Sequence, residues 1–180
     1  HRRAEQSALP FSYPDVGATA TAPPSGWDIH QTRVSLGYGP AVFAAACEAL
    51  RCWTQFDLGW IRAADRAAPL APGEAVAVVA RTCGLWSINT CRIVYVVDEP
   101  RRFGFAYGTL PSHVARGEER FLVELGAADE VTFEILAFSR PSHWLTRVGR
   151  PVMRLIQRQF ARAAGEAMRR AMATAVHPQP

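Results

Sequence analysis

The residues of this chain best placed for proton chemistry are His113, Glu118 and Glu119, within the stretch GFAYGTLPSHVARGEERFLVE. An imidazole titrates near neutrality, and a partly buried carboxylate can be tuned towards it, so a histidine close to two glutamates suits general acid–base work. Adjacent residues on a strand point to opposite faces, which lets at most one of Glu118 and Glu119 reach a cavity. The competing reading is structural: the same polar groups fix the glycine–proline turn by bonding its backbone, with Arg140 as a further partner.

A second polar group lies on the strand WSINTCRIVYVV, where Asn89, Cys91, Ile93 and Tyr95 alternate with Thr90, Arg92 and Val94. Whichever face turns inward carries a polar side chain, and a buried amide or guanidinium must be hydrogen-bonded or cost several kcal/mol. Asn89 and Arg92 therefore mark either a buried strut or the polar end of a pocket. Tyr107 and Thr109 would add hydroxyls from the neighbouring strand. Phe103, Phe105, Tyr107, Phe133 and Trp86 are the aromatics available to a core or pocket wall.

Other chemistries find little support. The five histidines are scattered, with no H-x-x-x-H or C-x-x-C pair for a metal. Ser112 beside His113 lacks the strand–turn–helix setting of a nucleophile elbow. GYG at 37–39 lacks the third glycine and the lysine of the common phosphate loops. No cofactor is expected.

Composition sets the frame. A chain of 180 residues, 49% of them hydrophobic, suits one domain with a substantial core. No apolar run approaches the roughly 20 residues of a membrane span, and HRRAEQSALP shows no apolar segment of a secretory signal. The four cysteines (Cys47, Cys52, Cys83, Cys91) read as reduced thiols, so a cytoplasmic location is expected. All 20 basic residues are arginine, and eight of them follow position 139 against a single acid, Glu166. That basic end invites an anionic membrane or nucleic-acid backbone as partner. A solvated helix face explains it as well, since the run lacks the interleaved aromatics that stack bases.

The elements that would position these groups follow from period and punctuation. Residues 1–27 read as a Pro/Gly-rich irregular arm pinned by Phe11, Tyr13 and Trp27, ahead of one domain over 28–176. A short strand over 28–36 leads to GYG, and Pro40 opens a helix to about 53 carrying Val42, Phe43, Ala46, Leu50 and Trp53. A shorter helix is expected within 56–68. Strands follow at 75–82, 86–97, 102–110, 119–125 and 130–139, an antiparallel meander. A short piece at 143–148 precedes a long helix over about 151–174. One side of that helix would carry Val148, Val152, Leu155, Gln159, Ala163 and Ala167; the other would carry Arg147, Arg150, Arg154, Arg158 and Arg162. This order predicts an α+β helix-grip fold: a curved antiparallel sheet of about six strands wrapped around the C-terminal helix, with a cavity between them.

The blocks FSYPDVGAT, PPSGW, LGYGPAVFAAACEAL, CGLWSINTCRIVYVV, GFAYGTLPSHVARGEERFLVE and ILAFSRPSHWLTRVGRPVMRLIQ resemble uncharacterised protein family 0548 over nearly the full length. The resemblance implies a START-like (SRPBCC-like) helix-grip fold and a candidate pocket; it implies no reaction. That superfold hosts lipid carriers, receptors and cyclases alike. The family usually has Gly where Ser112 stands and often Tyr where Trp27 stands, which bears on the turn carrying His113.

The residues support a binding module for a small, largely apolar ligand, oriented by Asn89, Arg92, Tyr107, Thr109, His113, Glu118, Glu119 and Arg140. The alternatives are an enzyme using His113 with Glu118 or Glu119, and an interaction protein using its arginine face.

Overall fold

A computed structural model of the chain describes residues 9–82, 84–142 and 150–176, with side chains omitted for 150–153 and 176. Cys83, the piece at 143–148 and the side chains of Arg147, Arg150, Val148 and Val152 lie outside the described residues. Among the described residues, seven strands and two α-helices make up the main regular structure: β1 (Asp28–Tyr38), α1 (Pro40–Arg51), β2 (Ile61–Ala63), β3 (Ala75–Thr82), β4 (Leu85–Glu99), β5 (Arg102–Thr109), β6 (Ala115–Leu125), β7 (Glu130–Pro141) and α2 (Arg150–Val176). The strands form one antiparallel sheet in the order β1-β7-β6-β5-β4-β3-β2. It curls into a half-barrel whose inner face is filled by the two helices.

Local chemistry explains most boundaries. Gly39, at φ 93°, turns the chain out of β1, and Pro40 then begins α1 with its preset backbone angle. α1 buries Ala46, Cys47 and Leu50. It stops at Arg51, two residues short of the sequence expectation, because Trp53 adopts a left-handed backbone (φ 59°) and feeds a single 3-10 turn, Thr54–Phe56. The indole of Trp53 is thereby buried and donates Nε1–H to the Ala68 carbonyl at 3.2 Å.

The helix expected within 56–68 is absent. Its apolar residues instead serve that 3-10 turn and the short edge strand β2, paired with β3 through Ile61 and Ala80. Gly59, at φ 76°, breaks any helix between them. This edge strand brings the sheet to seven.

The alternation of bulky and tiny residues on β5 has a clear structural use. Phe103, Phe105 and Tyr107 turn inward into the aromatic core, where Phe105 lies 5.0 Å from Trp53 and 5.4 Å from Phe121 between ring centroids. Gly108, on the outer face, lies under the N-terminal arm. A Cβ there would come within 2.1 Å of the Tyr13 hydroxyl and 2.9 Å of the Phe11 ring. Gly108 thus seats the arm, while a Cβ at Gly104 would collide with the Phe121 carbonyl of β6.

On α2 the buried side is Phe160, Ala161, Ala164, Ala167, Met168 and Met172. This corrects the expected phase, since Leu155 is 65% exposed and Gln159 faces solvent. Phe160 stacks on Phe56 at 5.4 Å, and Gly165 lets the helix settle against Val34 of β1. Those two close fits set the rotation of the helix. Arg154, Arg158 and Arg162 are exposed. No helix among the described residues is long and apolar enough to cross a membrane.

Candidate functional site

The first half of α2 stands off the sheet, and a cavity of about 400 Å³ lies beneath it. Its sheet side comes from β3, β4, β5, β6 and β7, and another side from the segment between α1 and β3. The walls are mainly apolar: Phe56, Trp60, Ile61, Val78, Ile156 and Phe160. Asn89, Tyr107, Thr109, His113, Glu118 and Glu119, six of the residues singled out in the sequence, border it. Arg92 and Arg140 do not.

Tyr107 and Glu119 are direct cross-strand partners on β5 and β6. The Tyr107 hydroxyl donates to Glu119 Oε2 at 2.6 Å, and the other carboxylate oxygen has no partner among the described residues. Burial pushes the Glu119 carboxyl up to about 7, with the Tyr107 hydrogen bond pulling weakly the other way. Burial and the neighbouring carboxylate hold the Tyr107 phenol protonated well beyond its ordinary range. Buried Cys91 of β4 is likewise held as a thiol, by burial first and by Glu119 second.

His113 sits in the β5–β6 turn. Its Nδ1 accepts the Ala115 backbone N–H at 3.0 Å, which places the proton of the neutral ring on Nε2. Burial lowers its pKa to about 4, against a small opposing effect of that backbone bond. Ser112, where the resembled family usually has Gly, shares a hydrogen bond with Thr90 of β4 and so ties the turn to the sheet. Asn89 donates Nδ2–H to Ser87 Oγ at 3.1 Å; its Oδ1 is buried without a partner. Thr109 Oγ1 accepts the Gly117 N–H at 2.9 Å and pairs with Ser12 Oγ at 2.6 Å.

Glu118 points the other way, as adjacency on a strand requires. Its carboxylate accepts from the Tyr13 hydroxyl at 2.6 Å, the Gly17 N–H at 2.6 Å, the Thr19 N–H at 3.0 Å and the Thr19 hydroxyl at 2.5 Å. It anchors the arm across the outer face of the sheet. The arginines assigned to the pocket do the same. Arg92 donates to the Leu9 carbonyl at 2.8 Å and covers the Phe11 ring at 4.1 Å. Arg140 binds the Gly26 carbonyl and covers Trp27 at 4.6 Å.

Two further placements differ from the sequence reading. A bulge between Ile93 and Tyr95 sends Tyr95 to the outer face, where its hydroxyl meets Thr19 Oγ1 at 2.8 Å. Trp86 is 59% exposed on the flank of β4 and belongs to neither core nor cavity. The sequence reading also missed Arg120, which donates to the Thr19 carbonyl at 2.7 Å and to Glu134 at 2.5 Å. Its Glu-Arg-Phe context carries no local sign of that role.

Residues 12–167 match the family model described as "Domain of unknown function (DUF1990)". The chain belongs to this family. It is 39% identical to a UPF0548 protein of Dictyostelium discoideum over 148 residues, 76% of this chain and 68% of that protein. A UPF0548 protein of Deinococcus radiodurans is 40% identical over 140 residues, covering 72% and 71%. Among solved structures, the Zhui aromatase/cyclase of Streptomyces sp. R1128 superposes with a TM-score of 0.57 at 12% identity, covering 84% of this chain and 97% of that one. Human STARD10 gives a TM-score of 0.51 at 12% identity, covering 87% and 76%. At such identities the likeness establishes a START-like helix-grip fold and nothing about ligand or reaction.

Proposed function

We propose that this DUF1990 protein is a cytoplasmic binding module that holds one small, largely apolar molecule between the sheet and the first half of α2. The observation that carries the reading is the cavity of about 400 Å³, mainly apolar in its walls and bordered by a few polar groups. Ligand sites of roughly 300–1,000 Å³ with that make-up are the usual form of a small-molecule pocket. The aromatic core supports it too, because Phe56 of the wall packs against Phe121 and Phe160 and is held in place by them. The cytoplasmic assignment rests on Cys47, Cys52 and Cys91, all free thiols. Native mass spectrometry of freshly purified protein tests the function: a bound organic mass at one per chain is expected, and a protein that stays empty when offered apolar compounds contradicts it.

A second reading, an enzyme of small-molecule metabolism, draws support from Glu119. A carboxyl near pH 7 inside a cavity, bonded to a phenol, is the kind of group that exchanges protons. Glu118 is consumed by the arm and His113 Nδ1 by the turn backbone, so Glu119 would carry this role with Tyr107. Recovery of the bound molecule chemically unchanged after long incubation separates a carrier from a catalyst.

A further inference from the structure

Resting on the binding-module reading above, we infer that the ligand carries a protonated amine, received by the free oxygen of Glu119 at the wall of the cavity. The chemistry of the lining points one way. Glu119 borders the cavity and accepts from Tyr107 through Oε2 alone, which leaves its other oxygen without a partner among the described residues. A carboxylate oxygen left free in a mainly apolar space favours a guest that brings a donor to it. An ammonium brings three, together with the charge that makes hydrogen bonds to a carboxylate short and strong.

Among the described residues the cationic side chain bordering the cavity is the exposed Arg116. Facing Glu119 are the Tyr107 phenol on β5, the Cys91 thiol on β4 and the β5–β6 turn with the neutral His113; α2 adds uncharged Ile156, Gln157 and Phe160. Arg116 borders the cavity but is exposed, and it contributes nothing to the ionisation of Glu119. The carboxylate is therefore held up by burial alone, the condition that an incoming cation relieves. Phe56, Trp60 and Phe160 surround the same space, and aromatic rings attract an ammonium where they attract no carboxylate. A fatty-acid-like anion is disfavoured by the same wall.

The test is calorimetric titration of the whole chain with three compounds of one skeleton: 4-phenylbutylamine, 4-phenylbutan-1-ol and 4-phenylbutanoate. At pH 8 the amine should bind at least about tenfold tighter than the alcohol, and the carboxylate weakest. In the wild type, lowering the pH to 5 should erase the amine's advantage while leaving the alcohol unchanged. Glu119→Gln should lose the amine's advantage over the alcohol at pH 8 and its dependence on pH, with an unchanged circular-dichroism spectrum reporting an intact fold. Should the alcohol bind and the amine show no preference at pH 8, the amine assignment is overturned while the binding module stands. If none of the three binds the wild type, both readings fall.

Discussion

The phenol of Tyr107 and the carboxyl of Glu119 meet at 2.6 Å on neighbouring strands at a mostly apolar cavity, with no cationic side chain bonded to either among the described residues. A sheet ordinarily pairs such groups with water or an arginine. Here Arg92, Arg120 and Arg140 are engaged on the opposite face, and one Glu119 oxygen is left without a partner among the described residues.

That placement makes stability depend on pH with a definite sign. Folding raises the Glu119 carboxyl from 4.5 to about 7, so it contributes fully below about 4.5 and the contribution is lost as pH rises through about 7. Glu119→Gln should therefore be more stable than wild type at pH 8, by about 1–3 kcal/mol, and nearly equal at pH 5. Thermal melts at both values measure it, since each kcal/mol moves Tm by about 2–4 °C in a chain of this size. His113 works oppositely: its pKa falls from 6.5 to about 4, so its contribution is present above 6.5 and lost as pH drops towards 4. A variant melting profile parallel to wild type between pH 5 and 8 contradicts the buried state of Glu119.

Glu118 holds the arm by four hydrogen bonds, and its removal strands several buried donors at once. Glu118→Ala should destabilise by about 3 kcal/mol or more and expose residues 9–27 to limited proteolysis. Gly108→Ala should open the same segment by a different route, pushing Tyr13 and Phe11 off the sheet. Cleavage mapped by mass spectrometry reads both; an arm as resistant in either variant as in wild type counts against the strap.

Gln55 is fully buried, and neither polar atom of its amide has a hydrogen bond. Gln55→Met keeps the length and removes the two unmet groups, so chemical denaturation should show a gain of about 1–3 kcal/mol. A loss of stability would mean that the amide has a partner in solution.

We expect the arginine face to act as a solvated surface. Arg154 is drawn into a pair with Asp28 Oδ1 at 2.6 Å, and Arg169 donates to the Ser35 carbonyl at 3.0 Å. Reversing Arg154 and Arg158 to Glu should change stability by about 1 kcal/mol or less. Sedimentation with phosphatidylserine vesicles and a gel shift with RNA should show no binding in either protein. Salt-sensitive binding by wild type that vanishes in the variant would establish an anionic partner instead.

The meander was legible because each of its strands is rich in β-branched and aromatic residues and ends in a turn such as Gly126–Asp129, where Asp129 takes a positive φ. The pocket's polar side was half legible. Asn89, Tyr107 and Glu119 were found because a strand periodicity places them on one face, but the bulge after Ile93 reversed Tyr95, and a bulge leaves no mark in local composition. Arg92, Glu118 and Arg140 looked like pocket residues because a charged group on a half-buried strand needs a partner. Their partners lie about 80–115 positions away in the arm, beyond the reach of any local pattern. The short strand β2 and the rotation of α2 were misread for a related reason: both are fixed by fits to distant residues, Ile61 to Ala80 and Gly165 to Val34.

The cavity itself is tested most directly by filling it. Ala80 of β3 borders the space and is small, so Ala80→Phe places a ring inside it. Titration with the neutral fluorophore N-phenyl-1-naphthylamine should give a blue-shifted, saturable signal at one site per wild-type chain. The Ala80→Phe protein, folded by circular dichroism, should bind at least about tenfold more weakly. Equal binding by the two proteins, or none by the wild type, would contradict a guest site between sheet and helix.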